Sequence, residues 1–210
     1  MLEKIKIMAI IREVDPEITI EVIKALAEEG LQSFEISLSD PELGIEAIRR
    51  SLGYFQGSDV RIGAGTVSTV KQVERLAGMG VPYFLTPGFD PDIVESARTF
   101  GLEILPGVLT PTDVQMALNH GITRMKLFPA DAFGEGYIKA LKGPYPQTEY
   151  VAVGGVNLDT AASYLQRGFA GIAVGSNLVP RGAARSQIEE IREKGRKYME
   201  IVHAFEKTQA

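Results

Sequence analysis

Arg61–Gly121 reads RIGAGTVSTVKQVERLAGMGVPYFLTPGFDPDIVESARTFGLEILPGVLTPTDVQMALNHG. Three times in this stretch a short apolar run is followed by an amphipathic segment that stops at glycine. Arg61–Ala64 leads to Val70–Met79 and Gly80, Tyr83–Thr86 to Pro91–Phe100 and Gly101, and Leu102–Leu105 to Pro111–His120 and Gly121. A glycine just past a helix takes up the left-handed cap conformation, and proline suits the first helical turn. Nearly continuous apolar runs mark strands covered on both faces of a parallel sheet. Each unit is therefore a strand followed by the helix that carries the chain back.

The same alternation continues outward. Strands are expected at Ile5–Ile11, Ser33–Leu38, Thr123–Phe128, Tyr150–Val153 and Gly171–Val174. Helices are expected at Pro16–Glu29 before Gly30 and at Leu158–Arg167 before Gly168. Asp15, Asp40, Asp90 and Thr110 each stand directly before a proline and are expected N-caps. Eight such units in a row predict an α/β chain closed as a single (β/α)8 TIM barrel rather than an open sheet. The 210 residues suit one barrel domain over 1–210, because no linker, low-complexity tract or shift in composition divides them. The polar end, Glu206–Ala210, is expected to fray.

Composition narrows the function. Apolar residues make up 45% of the chain, enough for a real core. The net charge of −5 is scattered, and no basic stripe marks a nucleic-acid face. With no cysteine there is no disulfide framework, thiolate metal site or cysteine nucleophile. The chain starts straight into a strand-like run with no signal region, and no apolar stretch has membrane-spanning length, so a cytoplasmic protein is expected. His120 and His203 are the only histidines and do not make a metal cluster. No metal and no external cofactor are expected.

In a barrel of this kind chemistry sits where strands end and the following loops begin. Polar residues inside or just after the apolar runs are therefore the ones to weigh. Lys126 interrupts Met125-Lys126-Leu127-Phe128. Burial there disfavours the ammonium form, and a neutral amine is what a Schiff-base nucleophile requires. The alternative is a lysine that snorkels or pairs with a structural carboxylate. Glu35 alternates with Phe34 and Ile36 and shares a face with Ser37 and Ser39. It is either a proton carrier or half of a buried ion pair, with Lys126 as one possible partner. Arg12 ends the first run and is either a carboxylate receptor or a loop arginine. Gly154-Gly155 follows strand seven and Gly175-Ser176 follows strand eight, the two loops that commonly hold phosphate in such barrels. A lone pair of glycines is otherwise just a turn. Gly63-Ala64-Gly65 lacks the third glycine of a dinucleotide fingerprint and is not read as one.

Phe34-Glu35-Ile36, Ile62-Gly63-Ala64-Gly65-Thr66-Val67, Thr86-Pro87-Gly88, Leu105-Pro106-Gly107, Lys126-Leu127-Phe128-Pro129-Ala130, Val153-Gly154-Gly155-Val156 and Val174-Gly175-Ser176 occur in this order. In these segments the chain resembles the 2-keto-3-deoxy-6-phosphogluconate/4-hydroxy-2-oxoglutarate aldolase family over almost its whole length. The run Lys126–Gly134, with Tyr137–Lys142, looks most like the 6-phosphogalactonate branch. The resemblance implies a class I aldolase acting on a 2-dehydro-3-deoxy-6-phospho-sugar acid, with pyruvate and glyceraldehyde 3-phosphate as products. It also admits 4-hydroxy-2-oxoglutarate, giving pyruvate and glyoxylate. By the same resemblance Lys126 is the Schiff-base lysine and Glu35 the general acid/base. Thr66 with Arg12 binds the keto-acid carboxylate, Pro87 and Phe128 wall the pocket, and Gly154, Gly155 and Ser176, with Gly175 alongside, hold phosphate. A homotrimer is implied as well. One departure stands out: the phosphogluconate branch has arginine four residues after the glutamate, where this chain has Ser39. Two other readings of such a barrel remain at this point, a phosphosugar isomerase or epimerase and a non-catalytic phosphosugar-binding barrel.

Overall fold

The computed structural model describes Leu2 and residues 5–209. Its strands are β1 (Ile7–Ile11), β2 (Ser33–Ser37), β3 (Arg61–Gly65), β4 (Tyr83–Leu85), β5 (Glu103–Leu105), β6 (Gly107–Val108), β7 (Arg124–Leu127), β8 (Glu149–Val153) and β9 (Gly171–Val174). All paired neighbours are parallel, and the order is β5-β4-β3-β2-β1-β9-β8-β7-β6. The two outermost strands are halves of one segment, parted only by Pro106. The ring thus has the eight barrel positions expected, with the fifth divided in two. Proline has no N–H to give a ladder, and here the segment changes partners: β5 pairs with β4, and β6 pairs with β7. The Pro106 carbonyl accepts from Lys126 N at 2.9 Å, and Gly107 N donates to Thr86 Oγ1 at 3.1 Å.

Helices α1 (Pro16–Glu28), α2 (Pro41–Tyr54), α3 (Val70–Gly78), α4 (Pro91–Phe100), α5 (Pro111–Asn119), α6 (Tyr137–Lys142), α7 (Ala161–Gln166) and α8 (Ile188–Gln209) pack outside the ring. Asp15, Asp40, Asp90 and Thr110 accept backbone N–H groups of the first turns, as the sequence leads one to expect. Thr69 makes a further capping box with Gln72. Two boundaries differ from expectation. Helix α7 starts at Ala161 rather than Leu158, because Asn157 Oδ1 takes the N–H groups of Asp159 and Thr160 and holds that segment as a turn. Helix α8 runs through Glu206 to Gln209, with Phe205 packed on the core and Thr208 Oγ1 bonded to its carbonyl at 2.6 Å. Ala210 lies outside the described residues. No helix among the described residues is long and apolar enough to cross a membrane.

Strand alternation sorts side chains into two compartments. Ala9, Ile11, Phe34, Ile36, Met125 and Leu127 face the helices. Met8, Ile10, Tyr83, Leu85, Leu105, Val151, Val153 and Ala173 fill the interior of the ring. Leu2 and Ile5 join them and close the N-terminal end, where Leu2 N donates to Glu103 Oε2 at 2.7 Å and Arg124 Nη2 donates to the Ile5 carbonyl at 2.9 Å. Tyr83 lies across the interior with its hydroxyl donating to the Phe34 carbonyl at 2.9 Å. Its ring occupies the place of a side chain at position 63: a Cβ on Gly63 would come within 2.1 Å of it.

Gly63→Ala should therefore overpack the barrel. A loss of roughly 1–3 kcal/mol is expected, seen as a fall of roughly 2–12 °C in Tm for a domain of this size. A melting curve superimposable on that of the unsubstituted protein would show that the Tyr83 ring moves aside freely.

Candidate active site

On β7 the pattern that turns Met125 and Leu127 outward turns Lys126 inward. The side chain is 3% exposed, and its Nζ lies 4.9 Å from the centre of the Phe128 ring. Burial holds the amine below the ordinary lysine value; Arg12 pushes the same way, and Glu35 opposes it. The result is an amine with an enlarged neutral fraction near pH 7, the form that adds to a carbonyl.

Glu35 points inward from β2 and is fully buried. Neither carboxylate oxygen has a hydrogen-bond partner among the described residues. Its influence on Lys126 is electrostatic rather than through a hydrogen bond, so the buried ion pair considered from the sequence is not a direct contact. The carboxylate lies over Gly65, where a Cβ would be 1.7 Å from Oε1. The two glycines of Gly63-Ala64-Gly65 thus have separate steric duties, one under Tyr83 and one under Glu35. An acid left without partners in a barrel interior is expensive for the fold.

Above Lys126, at the C-terminal end of the strands, a cavity of about 210 Å³ is lined by Ile10, Arg12, Phe128, Val153, Gly154, Gly155, Val156, Ala173, Gly175, Ser176 and Asn177. It gathers six of the residues singled out by sequence: Arg12, Phe128, Gly154, Gly155, Gly175 and Ser176. The Arg12 guanidinium is half-buried and makes no hydrogen bond or ion pair with another described residue, which leaves it available to an anion. Thr66 and Pro87 do not line this cavity. They follow β3 and β4, further round the mouth, where Thr66 Oγ1 lies 2.9 Å from Ser37 Oγ and the Pro87 carbonyl packs against Gly107. Gly154 and Gly155 have positive φ, 97° and 68°. A Cβ on Gly155 would meet Asp131 at 2.6 Å, so packing beneath the loop also demands glycine there.

Asn177 was not singled out from the sequence. Its Nδ2 donates to the Val156 carbonyl at 2.8 Å and ties the two glycine-bearing loops together. A polar residue two places after Gly175 was the available signal. A larger cavity of about 630 Å³, lined by Arg49, Leu52, Phe55, Val60 and Met79 among others, lies at the ends of α2 and α3 and contains none of these groups.

A lysine whose pKa is lowered on folding works against the fold below its unfolded value, 10.5, and ceases to do so above it. Lys126→Met removes that penalty and keeps the volume. Its Tm at pH 7 should match or exceed that of the unsubstituted protein, with the difference shrinking as pH rises toward the lysine range. A clear drop in Tm at pH 7 would mean that the charged amine is held by compensating contacts.

Comparison with known proteins places this geometry in context. A family profile described as "Aldolase: KDPG and KHG aldolase" matches residues 1–193. The chain is 36% identical to 2-dehydro-3-deoxy-6-phosphogalactonate aldolase from Escherichia coli (strain K12), over 85% of this chain and 87% of that protein. It superposes on a native KDPGal structure with a TM-score of 0.85 at 31% identity, covering 97% of each chain. It superposes likewise on the KDPG aldolase of Legionella pneumophila with pyruvate captured as a covalent carbinolamine, with a TM-score of 0.80 at 25% identity, covering 95% of this chain and 93% of that one. With a buried amine, a buried acid and a glycine-walled cavity at the open end of the barrel, and a family match that spans nearly all of its length, the chain belongs to the KDPG and KHG aldolase family.

Proposed function

We propose that this protein is a class I aldolase that cleaves a 2-dehydro-3-deoxy-6-phospho-sugar acid, of the gluconate or galactonate series, to pyruvate and glyceraldehyde 3-phosphate. The observation that carries the reading is the Lys126 amine, buried and shifted toward its neutral form, in the electrostatic reach of the unpartnered Glu35 carboxyl group. Neutral Lys126 adds to the C2 carbonyl to give a carbinolamine. Glu35 takes the proton released from the nitrogen and passes it to the hydroxyl, which leaves as water, and an iminium results. The carboxylate then takes the proton of the C4 hydroxyl. The C3–C4 bond breaks, its electron pair moves into the iminium, and the aldehyde departs from an enamine. Protonation at C3 and hydrolysis return pyruvate and the free lysine. The protein's own amine supplies the electron sink.

The anionic ends of the substrate meet different groups in this reading. The loops at Gly154-Gly155 and Gly175-Ser176 receive the phosphate. Arg12, which lines that cavity, pairs with the C1 carboxylate, aided by Thr66; Pro87 and Phe128 wall the reacting carbons. Residues 1–210 act as one domain. A homotrimer and a cytoplasmic setting belong to the same proposal and rest on family membership. The galactonate series is favoured by the run Lys126–Gly134 and by Ser39 in place of the arginine of the phosphogluconate branch.

Borohydride reduction in the presence of pyruvate, followed by intact mass and peptide mapping, tests the covalent step. A stable adduct is expected on Lys126, and none in Lys126→Ala or in Lys126→Arg, whose guanidinium stays protonated. An adduct on another lysine, or no adduct at all, would overturn the assignment; the second result would favour an isomerase or a binding barrel.

Arg12→Ala tests the carboxylate contact with pyruvate itself, which carries no phosphate. Loss of a charge-assisted contact worth about 1.5–3 kcal/mol should raise the pyruvate concentration for half-maximal trapping roughly 10- to 150-fold. If trapping is unchanged and only the KM for phosphorylated substrate rises, Arg12 serves the phosphate instead.

A further inference from the structure

Among the described residues only Glu13 and Thr66 combine a side chain with positive φ, at 54° and 59°. For a β-branched residue such as threonine this backbone region is a genuine outlier, and it persists only where neighbours hold it. Both positions are at the mouth of the barrel, Glu13 directly after Arg12 and Thr66 directly after β3. A line of side chains connects them. Glu13 pairs with Arg181, and Ser39 beside it helps hold the carboxyl group below its usual range. Ser37 Oγ donates to Ser39 Oγ at 3.2 Å, and Ser39 N donates to Ser37 Oγ at 3.2 Å. Ser37 Oγ and Thr66 Oγ1 are 2.9 Å apart. Ser37 is buried at the end of β2, on the same inward face as Glu35.

The direction of the protons along this line matters, because a hydroxyl has one hydrogen to give. The Glu13 carboxylate only accepts, so it draws the Ser39 hydrogen toward itself. Ser37 already accepts the Ser39 N–H and is left with its own hydrogen to place. Given to Thr66, that hydrogen leaves the Thr66 O–H free to donate toward the mouth. Given back to Ser39, it obliges Thr66 to donate to Ser37 and to turn lone pairs toward the mouth, which repels an anion. The 2.9 Å contact with Thr66 is also the shorter of the two.

We propose that Ser37 is a positioning residue for the keto-acid carboxylate: when the ligand arrives, Ser37 turns its hydrogen from Ser39 to Thr66 Oγ1, holds that side chain in its left-handed turn, and so presents the Thr66 O–H to the ligand as a donor. Ser39 keeps the line oriented from its position between Glu13 and Ser37, and does not reach the ligand as an arginine there would. The inference rests on the reading of Thr66 as a carboxylate contact, and its test separates the two.

The probe is pyruvate, and the readout is the concentration for half-maximal borohydride trapping, with steady-state KM and kcat on the phosphorylated substrate alongside. The variants are Thr66→Val, Ser37→Ala, Ser37→Thr and the double variant Ser37→Ala/Thr66→Val. Thr66→Val should raise the pyruvate requirement roughly tenfold or more, as for a hydrogen bond to a charged group, and Ser37→Ala roughly 2- to 12-fold, as for a neutral one. The loss should fall on KM rather than kcat. Ser37→Thr, which keeps the hydroxyl, should restore binding. The double variant should be no worse than Thr66→Val alone, since Ser37 acts through Thr66. If the two losses multiply, or if Ser37→Ala leaves trapping unchanged while Thr66→Val impairs it, the proposal is overturned and the reading of Thr66 stands. If Thr66→Val has no effect, that reading falls and takes the proposal with it.

Discussion

Stripping water from the Lys126 amine sets the terms for everything around it. An ammonium group loses far more hydration on burial than a neutral amine does, so a lysine inside a parallel ring is pushed toward the form that can attack a carbonyl. The rest of the barrel supplies what this requires. Apolar side chains such as Ile10, Leu105 and Val151 exclude solvent from the interior. Arg12 adds repulsion from above, and Glu35 adds an attraction too weak to reverse the shift. The acid is fully buried without hydrogen bonds, and the glycine at position 65 gives it its only space. Site and fold pull in opposite directions here. Such opposition is tolerable because the compartment between sheet and helices is continuous and well packed.

The fold was legible because its punctuation is local. A proline after an Asp or Thr cap, and a glycine after the last helical turn, depend on a few neighbouring residues and on nothing distant. The strands were legible because burial on both faces leaves little room for polar residues. What was not legible depends on contacts across the chain. The division of the fifth strand at Pro106 follows from its having β4 on one side and β7 on the other, and no local pattern announces that change of partner. The turn that delays α7 depends on the side chain of Asn157 choosing backbone N–H groups. Phe205 anchors a polar terminal segment from a core that the sequence does not spell out.

The site divides in the same way. Lys126 and Glu35 stood out because each breaks an apolar strand, and a break in a simple pattern is easy to see. Arg12 and the two glycine-bearing loops stood out by their place at strand ends, and the structure gathers them around one cavity. Thr66 and Pro87 came only from family resemblance, since a threonine or proline after a strand is ordinary in sequence. The left-handed backbone of Thr66 is visible only in three dimensions. Asn177 and Asp131 make contacts that shape the loops. Their roles are properties of loop packing, with no motif of their own.

Leu2 and Ile5 are seated in the floor of the barrel, opposite the end where the cavity opens. Traffic through that open end has an order. In the proposed reaction, a molecule that bonds to the amine on β7 enters with its keto end first and its other end trailing toward the rim. After the carbon chain is cut, the trailing fragment stands nearest the exit while the leading one is still tethered below. The fragment at the rim departs first, and the tethered one follows only after water has come in. In that reaction the sequence of release is a matter of architecture.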